Sequence, residues 1–171
     1  MKQGYVHVYT GEGKGKTTAA LGLALRAAGA GLRVFIAQFM KGQKYSELDL
    51  LPALRDHITI RQFGLPKFVH TIEQEDLDAA HHGFAEVTQI IAAGAHDLVI
   101  LDEINVAMHY HLIAVDDVLE VMCTRPRHVE LVLTGRGADA RIIAAADLVT
   151  DMRAVKHYYD NGVMARKGIE S

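Results

Sequence analysis

The chain has 171 residues, half of them apolar and 23% charged, so it holds about one domain's worth of sequence and too little charge for a disordered polyampholyte. Eighteen basic residues against 21 acidic ones leave a net charge of −3, which excludes a generally basic nucleic-acid binder but leaves room for a local basic site. One cysteine, Cys123, excludes an internal disulfide and a multi-cysteine zinc site; it reads as a small buried apolar residue in a reducing cytosol. The segment MKQGYVHVYTGEG has no signal-peptide character, and no stretch reaches the ~18 apolar residues of a membrane span. A soluble, cytoplasmic, single-domain protein over 1–171 is expected, with no nucleic-acid or membrane partner.

Tyr5–Tyr9 predicts a strand and Lys16–Ala30 an alanine- and leucine-rich helix. Strands at Arg33–Gln38 and Ile58–Phe63 follow, then a long helix over Glu73–Gly94 with Thr71 as its expected N-cap. Beyond it lie a strand at Asp97–Leu101, a helix around Asp116–Cys123 and a strand at Val129–Thr134. A last helix near Asp139–Ala145 leads into Leu148–Met152. The runs DLVIL and VELVL are mostly apolar rather than alternating, as strands covered on both faces require. Regular strand–helix succession therefore predicts an α/β fold with a mostly parallel sheet between two helical layers.

The strongest chemical signal is Thr10-Gly11-Glu12-Gly13-Lys14-Gly15-Lys16-Thr17-Thr18, set between the first strand and the first helix. Glycines let a backbone turn tightly and aim its N–H groups at phosphate oxygens, and the helix start adds the positive end of its dipole. Lys16 supplies a cation, and the Thr17 hydroxyl can ligate Mg²⁺. The standard G-x-x-x-x-G-K-[ST] spacing needs glycine at position 10, where this chain has Thr10; Gly11 lies one residue too close. The loop is a triphosphate loop with an altered first turn.

The apolar strand Leu98–Leu101 ends in Asp102-Glu103. Ligands collect at the carboxyl ends of strands in an open parallel sheet, so both acids can reach the loop, and Glu103 is the expected metal partner alongside Thr17. Lys41 and Arg136, each beside glycine after another strand, belong to the same rim and can bind anions. The ten histidines do not make a transition-metal site. Neighbours His81 and His82 on a helix point apart, and His109 and His111 lack an evident third ligand.

Taken together, the sequence resembles the single-domain P-loop ATP:corrinoid adenosyltransferases. The residues concerned are GEGKGKTTAALG at 11–22, QFMKG at 38–42, LDE at 101–103, LTGRG at 133–137 and RAVKH…GVxA…GI at 153–169. The altered phosphate loop is the most specific of these. The resemblance implies a RecA-like, three-layer fold and transfer of the 5′-deoxyadenosyl group of ATP to Co(I) of a reduced corrinoid, with triphosphate released. It also implies a homodimer and a flavoprotein electron donor.

On this reading ATP is held by Gly11, Glu12, Gly13, Lys14, Gly15, Lys16, Thr17, Thr18 and Arg136. Lys16, Lys41 and Glu103 are catalytic, and Thr17 with Glu103 holds Mg²⁺ or Mn²⁺. Family members place an aromatic pair after the third strand to displace the lower cobalt ligand. This chain has no tryptophan, and Phe68, with Leu65 and Phe63, is the candidate corrinoid pocket. The alternatives from other classes are a RecA-like ATP-hydrolysing motor or switch and a nucleotide-binding subunit without chemistry.

Overall fold

The computed structural model describes residues 2–43, 45–50, 56–65 and 72–170. Six strands, β1 (Val6–Thr10), β2 (Val34–Phe39), β3 (Ile58–Phe63), β4 (Leu98–Asp102), β5 (Glu130–Thr134) and β6 (Leu148–Asp151), form one sheet in the order β3-β2-β4-β5-β1-β6. Every pairing is parallel. The helices are α1 (Lys16–Gly29), α2 (Gln74–Ala92), α3 (Ile104–His109), α4 (Val115–Thr124) and α5 (Ala140–Ala145), with 3-10 turns at Ser46–Leu50 and Tyr158–Asn161.

Side-chain alternation along the central strands separates two cores. Val34, Ile36, Leu98, Ile100 and Val132 point to the face covered by α1, against its stripe Ala20, Ala24, Ala27 and Ala28. Those alanines recur at helical spacing and bring the helix axis close to the sheet. Phe35, Ala37, Phe39, Val99, Leu101, Leu131 and Leu133 point the other way, against side chains of the remaining helices. Burying each large aliphatic or aromatic side chain stabilises the fold by about 1.5–3 kcal/mol. The three-layer α/β architecture expected from the sequence is therefore present.

Strands β1, β2 and β4 begin and end one residue later than the sequence pattern suggested, β3 matches it, β5 begins one residue later and β6 ends one earlier. Helix α2 starts with a reciprocal capping box between Glu73 and Asp76. The expected cap, Thr71, lies outside the described residues. Helix α3 was not anticipated; its six residues are too few to display a period. Cys123 is exposed, not buried. In α4 the core face is Val118, Val121 and Met122, and Cys123 turns past it. The edge strand β6 is exposed along its whole length, and its role is positional.

Candidate active site

The carboxyl ends of β1, β2, β4 and β5 converge on the phosphate loop. After β1 the chain crosses to β2 on the far side of β4 and β5, so the loop and Lys41 flank the two strand ends that carry Asp102 and Thr134. This is where a doubly wound sheet opens a crevice.

Gly15 caps α1 without any side-chain hydrogen bond. The first-turn amides of Lys16, Thr17 and Thr18 have no carbonyl four residues back within the helix, and with the helix dipole they make an anion nest. Lys16 is buried, and its ammonium donates to the carbonyls of Gly11 at 2.6 Å and Gly13 at 2.8 Å. Burial, and then the nearby Arg136 charge, hold Lys16 below the ordinary lysine range, with Glu103, Glu12 and Asp151 opposing. A polyphosphate would supply an anion to this cation.

The altered first turn is braced by the chain that follows β6. The Gly13 N–H donates to the Met152 carbonyl at 2.6 Å, and the Met152 N–H donates to the Thr10 carbonyl at 2.8 Å. The chain leaving β6 thus pins the loop, and Gly13's amide is engaged there. A Cβ on Gly13 would lie 2.6 Å from the Met152 oxygen, and one on Gly11 would lie 2.1 Å from Asp151 Oδ1. Gly13→Ala is expected to push the loop off this brace and destabilise the protein by about 1–3 kcal/mol, the range for an overpacked site. Thermal unfolding with and without ATP checks it; a wild-type midpoint and ATP response would show that the brace yields freely.

Asp102 is the hub of the site, and the sequence reading passed it over in favour of its neighbour. It is 1% exposed. Its Oδ1 accepts from the Thr17 hydroxyl at 2.8 Å and the Thr134 hydroxyl at 2.7 Å, and its Oδ2 accepts from the Lys41 ammonium at 2.7 Å. One carboxylate therefore ties together the ends of β2, β4 and β5 and the start of α1. Burial on its own would lower the Lys41 pKa, but the charge and hydrogen bond of Asp102 outweigh it and hold the ammonium above its usual range. Lys41 is thus a paired, largely buried cation rather than a solvated loop charge.

Glu103 follows in the left-handed region at φ 62°, and Met40, just before Lys41, does the same at φ 56°. Non-glycine residues held there cost of order 1–3 kcal/mol each and cluster at functional sites. The turn at Glu103 is fixed by its N–H, which donates to the Thr134 hydroxyl at 3.0 Å. Its carboxyl lines a cavity of about 550 Å³ with Lys14, Lys16, Thr17 and Arg136. It also lines an adjoining one of about 440 Å³ with Thr18, Lys41 and Glu47. Burial, then the Asp102 charge, push the Glu103 pKa up. A divalent cation would relieve that strain, and the donors, a carboxylate and a hydroxyl, are the hard oxygens Mg²⁺ prefers.

Among the described residues no group of three His, Cys, Asp or Glu could hold a metal by itself. Arg136 reaches over the loop to Glu12, with 3.4 Å between Nη1 and Oε2, both side chains well exposed. The buried Asn105, also unforeseen, donates to the Gly135 carbonyl at 3.3 Å beneath that arginine's turn.

Of the three apolar candidates, Phe63 packs against the Phe39 ring with centroids 5.7 Å apart and occupies the space a side chain on Gly83 would need. Leu65 is half-buried, with its backbone against Gly42. Phe68 lies outside the described residues. His81, His109 and His111 line a cavity of about 740 Å³ with Arg141, which pairs with Asp116 and Asp139. No phosphate-loop residue reaches that cavity. No described helix is long and apolar enough to cross a membrane.

Residues 2–171 match the family model for ATP:corrinoid adenosyltransferase BtuR/CobO/CobP. The chain is 34% identical over 170 residues to a corrinoid adenosyltransferase of Escherichia coli strain K12, covering 99% of this chain and 86% of that protein. It is 35% identical over 176 residues to corrinoid adenosyltransferase CobA of Salmonella typhimurium, with the same coverage. A corrinoid adenosyltransferase of Pseudomonas aeruginosa is 34% identical over 171 residues, 99% of this chain and 84% of that protein. A whole-chain match, carried on a three-layer sheet whose phosphate loop has the altered first turn, leaves one conclusion: this chain belongs to the ATP:corrinoid adenosyltransferase family.

Proposed function

We propose that this chain transfers the 5′-deoxyadenosyl group of ATP to Co(I) of a reduced corrinoid, releasing inorganic triphosphate. The observation that carries this reading is the family match from residue 2 to residue 171. The motor or switch alternative is not favoured by it.

Co(I) gives its electron pair to C5′, a cobalt–carbon bond forms, and the C5′–O bond breaks with its pair leaving on triphosphate. The nucleophile needs no activation, so the protein's work is alignment of C5′ and stabilisation of the departing charge. Lys16, the amides of residues 14–18 and Arg136 surround the anion, and Asp102 fixes Thr17 and Lys41 behind them. Thr17 and Glu103 would hold Mg²⁺ or Mn²⁺, which when bound neutralises charge on the phosphate oxygens.

Phe68, Leu65 and Phe63 are proposed to supply apolar surface for the corrinoid where the lower cobalt ligand would sit. Phe68→Ala should then slow reaction from Co(II) with a mild reductant far more than reaction from preformed Co(I). Equal loss in the two assays, or none, would remove Phe68 from that role. The reading also places the enzyme in the cytoplasm as a homodimer supplied with electrons by a flavoprotein.

Anaerobic incubation with ATP, Mg²⁺ and chemically reduced cobalamin tests the function. Absorbance of a new cobalt–carbon bond and release of triphosphate are expected. ADP and phosphate would point instead to hydrolysis, and intact ATP to binding alone.

A further inference from the structure

The turn at residues 166–170 stands over the phosphate loop. Ile169 and Glu170 line both cavities described above, so they face Thr17, Thr18 and Glu103 from the opposite side. His157, at the start of the same segment, lines the larger phosphate-loop cavity, and its Nδ1 accepts from the Tyr159 N–H at 3.1 Å. The turn is closed by the Ile169 and Glu170 N–H groups, which donate to the Arg166 carbonyl at 3.2 and 3.0 Å, and is clasped by contacts around one carboxylate. Glu170 accepts from the Tyr158 hydroxyl, from the Arg166 backbone N–H at 2.8 Å and from Arg166 Nη2 at 3.2 Å. The Arg166 guanidinium lies 5.0 Å from the centre of the Tyr158 ring. The hydrogen bonds from Arg166 and Tyr158 lower the Glu170 pKa to about 2, the direction expected of a carboxylate that accepts from both groups.

We infer that Tyr158, Arg166 and Glu170 are positioning residues that hold the 166–170 turn as the wall of the ATP site opposite the phosphate loop. This rests on the reading of that cavity as the nucleotide site. The physical argument is one of enclosure. The loop supplies amides and cations for the phosphates but leaves the cavity's outer side open. Ile169 contributes apolar surface there, and a bound nucleotide would lie between it and the first turn of α1. Because the clasp acts on substrate held in place and not on the bond that breaks, its loss should weaken binding more than chemistry.

Two measurements test the inference. Tyr158→Phe and Glu170→Gln should each raise the KM for ATP about three- to tenfold, the scale of one or two lost hydrogen bonds, with kcat within about twofold and an unchanged melting temperature. In the wild-type protein, ATP should slow amide hydrogen exchange across 158–170 as well as across the phosphate loop. An unchanged KM in both variants would overturn the inference. Protection by ATP at 14–18 with none at 158–170 would overturn the clasp while leaving the nucleotide site intact. Absence of protection at both places would overturn the site itself, and the clasp with it.

Discussion

Lys16→Ala is expected to lower turnover about 100- to 1,000-fold, the usual loss when a preorganised group that stabilises leaving-group charge is removed. The structure shows why no neighbour can substitute. Lys16 is 7% exposed and its ammonium sits within the curl of the loop, whereas Arg136 is an exposed side chain paired with Glu12. Removing the ammonium also leaves the carbonyls of Gly11 and Gly13 without that donor, so affinity for ATP should fall together with rate. Thr17→Ala and Glu103→Ala should weaken use of Mg-ATP in the same assay. Single-turnover adenosylation from preformed Co(I) is the measurement, because it removes the reduction step. Full activity in Lys16→Ala would make the loop a structural feature and nothing more.

Asp102→Asn should be the most destabilising of these substitutions, and it should also abolish most activity. It leaves the Lys41 ammonium, 12% exposed, without its counter-charge. Breaking a buried pair from one side costs about 3–5 kcal/mol. At about 2–4 °C per kcal/mol for a chain of this size, the melting temperature should drop by about 6–20 °C. Lys41→Met combined with Asp102→Asn should recover part of that stability, since no unpaired cation remains. It should not recover activity, because Thr17 and Thr134 still lack the carboxylate that orients them. The pH dependence at the alkaline end follows from the raised Lys41 pKa: the stability that comes from charging Lys41 is fully present below the unfolded-state value of 10.5 and is lost as pH rises through the higher folded-state value. A wild-type melting point and rate in Asp102→Asn would show that the hub is dispensable.

The sheet was legible because its central strands are buried on both faces. Runs such as VFIAQF and LVILD have to be apolar nearly throughout, and that leaves an unmistakable trace in sequence. Helix α1 was legible for a similar reason, as its stripe of alanines repeats at helical spacing. Helix α3 left no such trace, because six residues span less than two turns. Its start depends on a left-handed Glu103, a conformation that residue identity does not advertise.

The acids at the end of β4 show the same limit within the site. Adjacent in sequence, Asp102 and Glu103 carry the same charge and nearly the same chemistry, so residue type does not tell their surroundings apart. Only the fold separates them. The strand directs Asp102 inward to Thr17, Thr134 and Lys41, and the turn directs Glu103 to the cavity.

What the sequence determined by itself was the local chemistry: a phosphate loop between strand and helix, cations at two other strand ends, acids at a third, and family motifs along the chain. These depend on residues close together in the chain, where spacing and periodicity carry the physical constraint. What only the tertiary structure decided was the long-range pairing. Asp102 meets Thr17 across 85 residues of sequence, Gly13 gives its amide to Met152, and the 166–170 turn comes to rest over the loop. Such contacts follow from strand order, because β6 must lie beside β1 before Met152 can reach the loop. Strand order is set by how all the apolar faces bury together, a condition no single segment encodes.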